Sequence, residues 1–331
     1  MKSLVEALTQ TFGPSGYEGA IRERVQQEIA PFVDDMRIDA LGNLIARKGR
    51  AQNGGQRIVV AAHLDEIGLI ATHIEERGFV RFTSIGGVMV HTLIGGRVRF
   101  VNGIAGVIHM DQDEPRDSFP KLEKLFIDVG ATSAADCPVR VGDMAAFERP
   151  FLDLGRRWVA KSMDDRIGVA VMIETLRTLQ ETPNEVYFVF TVQEEVGTRG
   201  AAPAAFGLEP QVALAVDVTR TGDVPGGKMA VALGKGPAIK ILDSGMIADP
   251  KVVEWMGGVA ERLGIPYQRE VLVGGTTDAR AMQLVRAGVP AGCLSIPCRY
   301  IHSPSEMVDV EDVQHSVRLL HALLSQPLPF S

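Results

Sequence analysis

Apolar and β-branched residues occur along this chain in short, nearly unbroken runs, and several runs stop at a charged or imidazole side chain. RIVVAA, from Arg57 to Ala62, ends at His63; VYFVFTV, from Val186 to Val192, ends at Gln193-Glu194-Glu195; VALAV, from Val212 to Val216, ends at Asp217. Such runs predict strands covered on both faces, with polar groups at their ends. Between them, residues 165–180 place Ile167, Val171, Ile173, Leu176 and Leu179 on a helical pattern that Pro183 terminates, and 251–263 and 278–287 also predict helices. Met1 to Gln10 has apolar residues at helical spacing as well. Strands alternating with helices predict an α/β fold, a mixed sheet flanked by helices. Ligands of such sheets collect beyond the carboxyl ends of the strands, where these acids and histidines fall.

From about Ile67 to Val159 the texture changes. GLIATHI, FVRFTSI, GRVRFV, GIAGVIHM, KLFIDVG and GDMAAF are strand-like pieces separated by glycines and charged turns, without a convincing helix. They predict a small β-rich domain at 67–159, inserted into a catalytic domain made of 1–66 and 160–331. Asp111 to Lys121, with Pro115 and Pro120 among charged residues, is expected to form an exposed loop.

The chain has 331 residues, of which 46% are hydrophobic and 23% charged, the balance of a soluble globular protein. A net charge of -7, with no long run of Lys or Arg, argues against a nucleic-acid partner. Neither a signal peptide nor a membrane-spanning stretch is evident, so a cytoplasmic location is expected. Three cysteines, Cys137, Cys293 and Cys298, are too irregularly spaced for a disulfide framework or a CxxC metal site and read as buried small residues.

The chemistry-bearing residues match the needs of a hydrolytic two-metal site: hard or borderline ligands on each ion, one shared carboxylate, and another carboxylate beside the water to take its proton. In His63-x-Asp65 both side chains fall on one side of an extended segment, so Asp65 can orient the His63 ring and leave one nitrogen for metal. Standing alone, the motif equally describes a satisfied histidine at a strand end. Asp164 and Asp165 precede a helix, where one acid suffices to cap it and the other is left to bridge metals. Glu194 and Glu195 end an apolar strand, a costly place for two like charges without a cation; one can ligate while the other faces the water. Asp217 is either a ligand or a turn acid, and His302 either a ligand or a loop histidine.

Six segments in order resemble the M42 family of metallo-aminopeptidases: AHLDEIG (Ala62–Gly68), KSMDDRIG (Lys161–Gly168), TVQEEVG (Thr191–Gly197), DVT (Asp217–Thr219), GGTTDA (Gly274–Ala279) and RYIHSP (Arg299–Pro304). The resemblance runs from near Gly13 to beyond Glu306. It implies a zinc-peptidase-like fold with two divalent metal ions per subunit, zinc or cobalt, with manganese in some members. His63 and Asp217 would hold one ion, Glu195 and His302 the other, and Asp164 would bridge them. Glu194 would be the general base and Asp65 the support of His63. It further implies hydrolysis of the N-terminal residue from short peptides with a free N-terminus. The inserted segment would be a dimerisation domain, in dimers that assemble to a dodecamer. Arg220, close behind Asp217, stands as either a contact for an acidic substrate side chain or a surface arginine.

Two other readings compete. A glycoside hydrolase built on Glu194 and Glu195 would need carboxylates facing each other across a sugar bond, for which neighbouring residues of one strand are badly placed. A metal-free assembly protein would not need the complete set of ligand types. The M20 peptidases and deacylases are a nearer rival, but their extra domain typically follows the bridging Asp, whereas here the insert separates His63 from Asp164.

Overall fold

The computed structural model describes residues 1–52, 54–113 and 120–330. Its largest element is an 11-stranded mixed sheet. The strands Glu185–Thr191, Arg57–His63, Val212–Arg220 and Ala291–Arg299 lie side by side and parallel at its centre. Ile58, Val59, Val60, Phe188, Phe190, Leu214 and Leu294 are buried there, which is why these strands read as continuous apolar runs rather than alternating ones. Antiparallel strands complete the sheet on both sides: Leu44–Lys48 beside Glu185–Thr191, and Glu306–Asp309 beside Ala291–Arg299.

Helices cover the sheet. Met163–Thr178 runs across its middle with a nearly continuous buried face, and Val310–Leu324 packs beside it through Leu319, Leu320 and Leu323. Local sequence sets the starts of the helices. Asp309 accepts hydrogen bonds from the amides of Glu311 and Asp312, and Asp249 accepts one from Lys251 ahead of the helix Pro250–Arg262. The expected helix at 278–287 is shorter, Asp278–Gln283, because Arg286 (φ 53°) and Gly288 (φ 98°) lie in the left-handed region.

The intervening segment is a closed barrel of the strands Gly68–Ile74, Val80–Ile85, Leu125–Asp128, Ala105–Met110, Arg97–Phe100 and Met144–Phe147. Leu69, Val80, Phe82, Val98, Phe100, Ile108, Ile127 and Phe147 fill it as a core of its own. Among the described residues its helical content is limited to the short 3-10 turns Val90–Thr92 and Leu122–Lys124. The chain is back in the large sheet by Leu152–Asp153 and Arg157–Ala160, short of the expected junction at 160, because the latter strand pairs with Glu306–Asp309. Most of the loop expected at 111–121 lies outside the described residues. No described helix is long and apolar enough to cross a membrane.

Candidate metal centre

His63 is the last residue of its strand, and Glu194 and Glu195 follow the end of the neighbouring strand. Asp217 differs from the expected pattern. Its strand does not stop there but continues to Arg220, because Asp217–Arg220 pairs in parallel with Ser295–Cys298. Asp164 and Asp165 sit at the start of the central helix with non-helical backbone, ψ 107° and 35°, so regular turns begin only at Arg166. His302 enters from the loop after Ala291–Arg299, itself at φ 66°.

These elements bring the side chains together. His63 Nε2 is 3.0 Å from Asp164 Oδ1 and 3.9 Å from Glu194 Oε2. On the opposite side of Asp164, His302 Nε2 lies 3.4 Å from Oδ2 and 3.2 Å from Glu195 Oε2. Asp164 thus stands between two groups of potential metal ligands, each with one imidazole. Asp217 joins His63 in a cluster whose ligand atoms lie within 4.8 Å of one another. Asp165 belongs to that cluster too, but its two oxygens accept the amides of His63 (3.2 Å) and Gly168 (3.1 Å). Asp165 therefore serves the backbone while Asp164 is left to face both histidines. The expectation placed the Asp65 side chain against the His63 ring; the hydrogen-bond partner of Nδ1 is instead the Asp65 backbone carbonyl at 3.0 Å, with the carboxylate further away at 3.5 Å. That carboxylate accepts the amides of Glu194 (3.0 Å) and Glu195 (3.1 Å) and the hydroxyl of Ser15 (2.6 Å).

The electrostatics call for a cation. Burial first, and then the charge of Asp164, push Asp217 well above the ordinary carboxylate range. Burial does the same to Glu194, with Asp217 and Asp278 adding to it, and raises Glu195 beside Asp164. Burial opposes charge on His302, yet its hydrogen bonds to Asp164 and Glu195 push it up to about 11. Glu195 Oε1 is buried without a hydrogen-bond partner. Carboxylates this crowded, one with an orphaned oxygen, beside two imidazoles fit a bound metal cation.

Residues 42–319 match the family described as M42 glutamyl aminopeptidase. The chain belongs to the M42 family. An aminopeptidase structure from Desulfurococcus kamchatkensis superposes with a TM-score of 0.94 at 43% identity, covering 98% of this chain and 94% of that one. The TET1 peptidase of Pyrococcus horikoshii, described as assembling into a tetrahedron or a large octahedral shell, gives 0.89 at 36%, with 98% of both chains covered. A lysyl aminopeptidase of Pyrococcus furiosus is 38% identical over 98% of this chain and 97% of its own. M42 membership makes this protein a peptide-hydrolysing enzyme of the aminopeptidase class.

Several residues of this M42 centre escaped the sequence reading. Gly86 and Gly87 reach back from the barrel: a Cβ on Gly87 would lie 2.6 Å from His302 Nδ1, and one on Gly86 3.0 Å from Glu195 Oε2. The segment IGGV hints at a turn but not at its neighbour. Behind the ligands, Glu66 accepts from Lys161 (2.6 Å), the Gly13 amide (3.0 Å) and Ser162. Arg166, wholly buried, donates to the carbonyls of Leu64 (2.7 Å), Leu8 (2.6 Å) and Thr11 (3.0 Å). The proximity of Glu66 to the HxD motif and of Arg166 to the paired aspartates was the available signal. The site opens into a cleft of ≈ 330 Å³ lined by Asp164, Glu194, Glu195, Asp217 and His302 and, further out, by Arg220 and Arg280.

Proposed function

We propose that this M42 enzyme is a dinuclear metallo-aminopeptidase that removes the first residue of short peptides with a free N-terminus. The observation that carries the reading is the placement of Asp164 between His63 and His302, 3.0 and 3.4 Å from their Nε2 atoms. His63 and Asp217 would hold one ion and Glu195 and His302 the other, with Asp164 placed to serve both. When bound, two divalent ions, zinc or cobalt with manganese as the alternative, supply Lewis acidity toward the substrate carbonyl and the attacking water. Glu194 lines the cleft, and among the described residues no short hydrogen bond occupies its carboxylate, so its Oε2 is available to take the proton from water and return it to the leaving amine. Burial and neighbouring acids raise its proton affinity, the direction a general base needs.

Substrate choice lies further out. Arg220 and Arg280 are exposed on the cleft wall, and among the described residues neither has an acid within ion-pair distance, whereas Lys240 is bound to Glu270. Two uncompensated guanidinium groups favour peptides that bring a carboxylate into the cleft. The barrel is proposed as a dimerisation domain in a homo-oligomer of the dodecameric kind, supported by the shells described for the Pyrococcus horikoshii relative.

The test is a panel of aminoacyl chromogenic substrates assayed after chelation and again with zinc, cobalt or manganese restored. Turnover that vanishes on chelation, returns with metal and favours Glu or Asp over Leu at the first position is the expected result. Metal-independent cleavage of cellulose oligomers would replace this reading with a glycosidase, and a protein that takes up no metal would replace it with an assembly protein.

A further inference from the structure

Glu306 is the first residue of the strand Glu306–Asp309 and pairs in register with Ala160, just ahead of the segment that carries Asp164. Its side chain is 1% exposed. Its two oxygens reach two separate ligand-bearing segments: Oε2 accepts the backbone amide of Asp164 at 2.9 Å, and Oε1 that of His302 at 2.7 Å. Neither segment has regular structure to hold it. Asp164 has left the helical region at ψ 107°, and His302 sits at φ 66°, in the left-handed region that is uncommon for non-glycine residues. The lone pairs of one carboxylate therefore set the separation between the shared ligand and His302.

We propose that Glu306 is a positioning residue, a clasp across the two metal-ligand segments whose carboxylate builds the ion site served by His302. It touches neither substrate nor metal and acts through backbone amides. The inference rests on the dinuclear reading above. A glutamine at this position matches the size of Glu306, but its amide offers one acceptor oxygen and turns an NH2 toward the other amide. One of the two segments loses its anchor. The site formed by His63 and Asp217 keeps its own supports in Asp65 and Asp165.

The experiment titrates chelated full-length protein with zinc alone by calorimetry, alongside metal-to-protein ratios after desalting and thermal melts of the metal-free chains. Wild type, Glu306→Gln, Glu306→Asp, His302→Ala and the double variant Glu306→Gln/His302→Ala are compared. Wild type should show two sites; fewer would overturn the dinuclear reading itself, independently of Glu306. Glu306→Gln should weaken the site served by His302 by about 10- to 100-fold, the range typical of losing a group that orients a ligand, and the site of His63 and Asp217 by less, since only the shared Asp164 connects it to Glu306. Glu306→Asp, too short to span both amides, should behave similarly. His302→Ala should weaken the same site, and there the double variant should lose clearly less than the two single losses added together, because part of the clasp acts through His302. Two wild-type affinities in folded Glu306→Gln would overturn the proposal. So would losses that add fully to those of His302→Ala, or a variant that fails to fold, since either would assign the carboxylate to general stability.

Discussion

Replacing Arg166 by methionine removes every hydrogen bond of a fully buried guanidinium while nearly conserving volume, so the cost comes from polar groups rather than a cavity. Nε and Nη1 donate to the carbonyls of Leu64 and Leu8 at 2.7 and 2.6 Å, and Nη1 also reaches Thr11 at 3.0 Å. Each buried acceptor left without a donor costs about 1–3 kcal/mol. Glu66 loses a cation 3.5 Å away but keeps Lys161 at 2.6 Å, so its charge is not abandoned. With Glu66 still paired and the Leu8 carbonyl still accepting the Thr11 amide, the total is about 2–4 kcal/mol, dominated by Leu64. That is a large share of the ~5–15 kcal/mol by which a protein is stable. Urea unfolding followed by tryptophan fluorescence reads it directly, because Trp158 and Trp255 both sit in the core around the large sheet. Arg166→Lys, which restores a cation but not the fork, should recover only part of the loss. A methionine variant destabilised by less than about 1 kcal/mol would refute the assignment of these carbonyls to Arg166.

Two further outcomes are expected at the centre. Glu194→Gln should lower kcat by about 10²- to 10⁴-fold with metal content nearly unchanged, and normal turnover would remove Glu194 from the role of base. For Gly87→Ala, whose new methyl would meet His302 Nδ1 at 2.6 Å, we expect at least about tenfold weaker binding of one metal ion with little change in melting temperature, read by zinc titration. Wild-type affinity there would mean that the barrel loop does not constrain the histidine.

Much of this enzyme was legible in its sequence for a physical reason. A parallel strand between two layers must be apolar on both faces, so RIVVAA and VALAV announced the sheet centre, and only a strong chemical need leaves His63, Glu194 and Asp217 where those runs give way to polar residues. The barrel was visible as a change of texture between His63 and Asp164, because glycines and short strands leave a local imprint. Local pattern could not say which of the paired aspartates faces the histidines. Asp165 is occupied by the amides of His63 and Gly168, the former 102 residues distant. The sheet register decided that Asp217 lies inside a strand rather than at its end, since the ladder to Ser295–Cys298 carries it onward. Glu306, 142 residues from Asp164, and Gly87, packed under His302 from the barrel, acquire their roles only through long-range contacts that carry no periodicity. The sequence by itself determined the element types and the inventory of candidate ligands; tertiary structure decided which atoms face each other, because hydrogen bonds of a few ångströms depend on how distant segments pair.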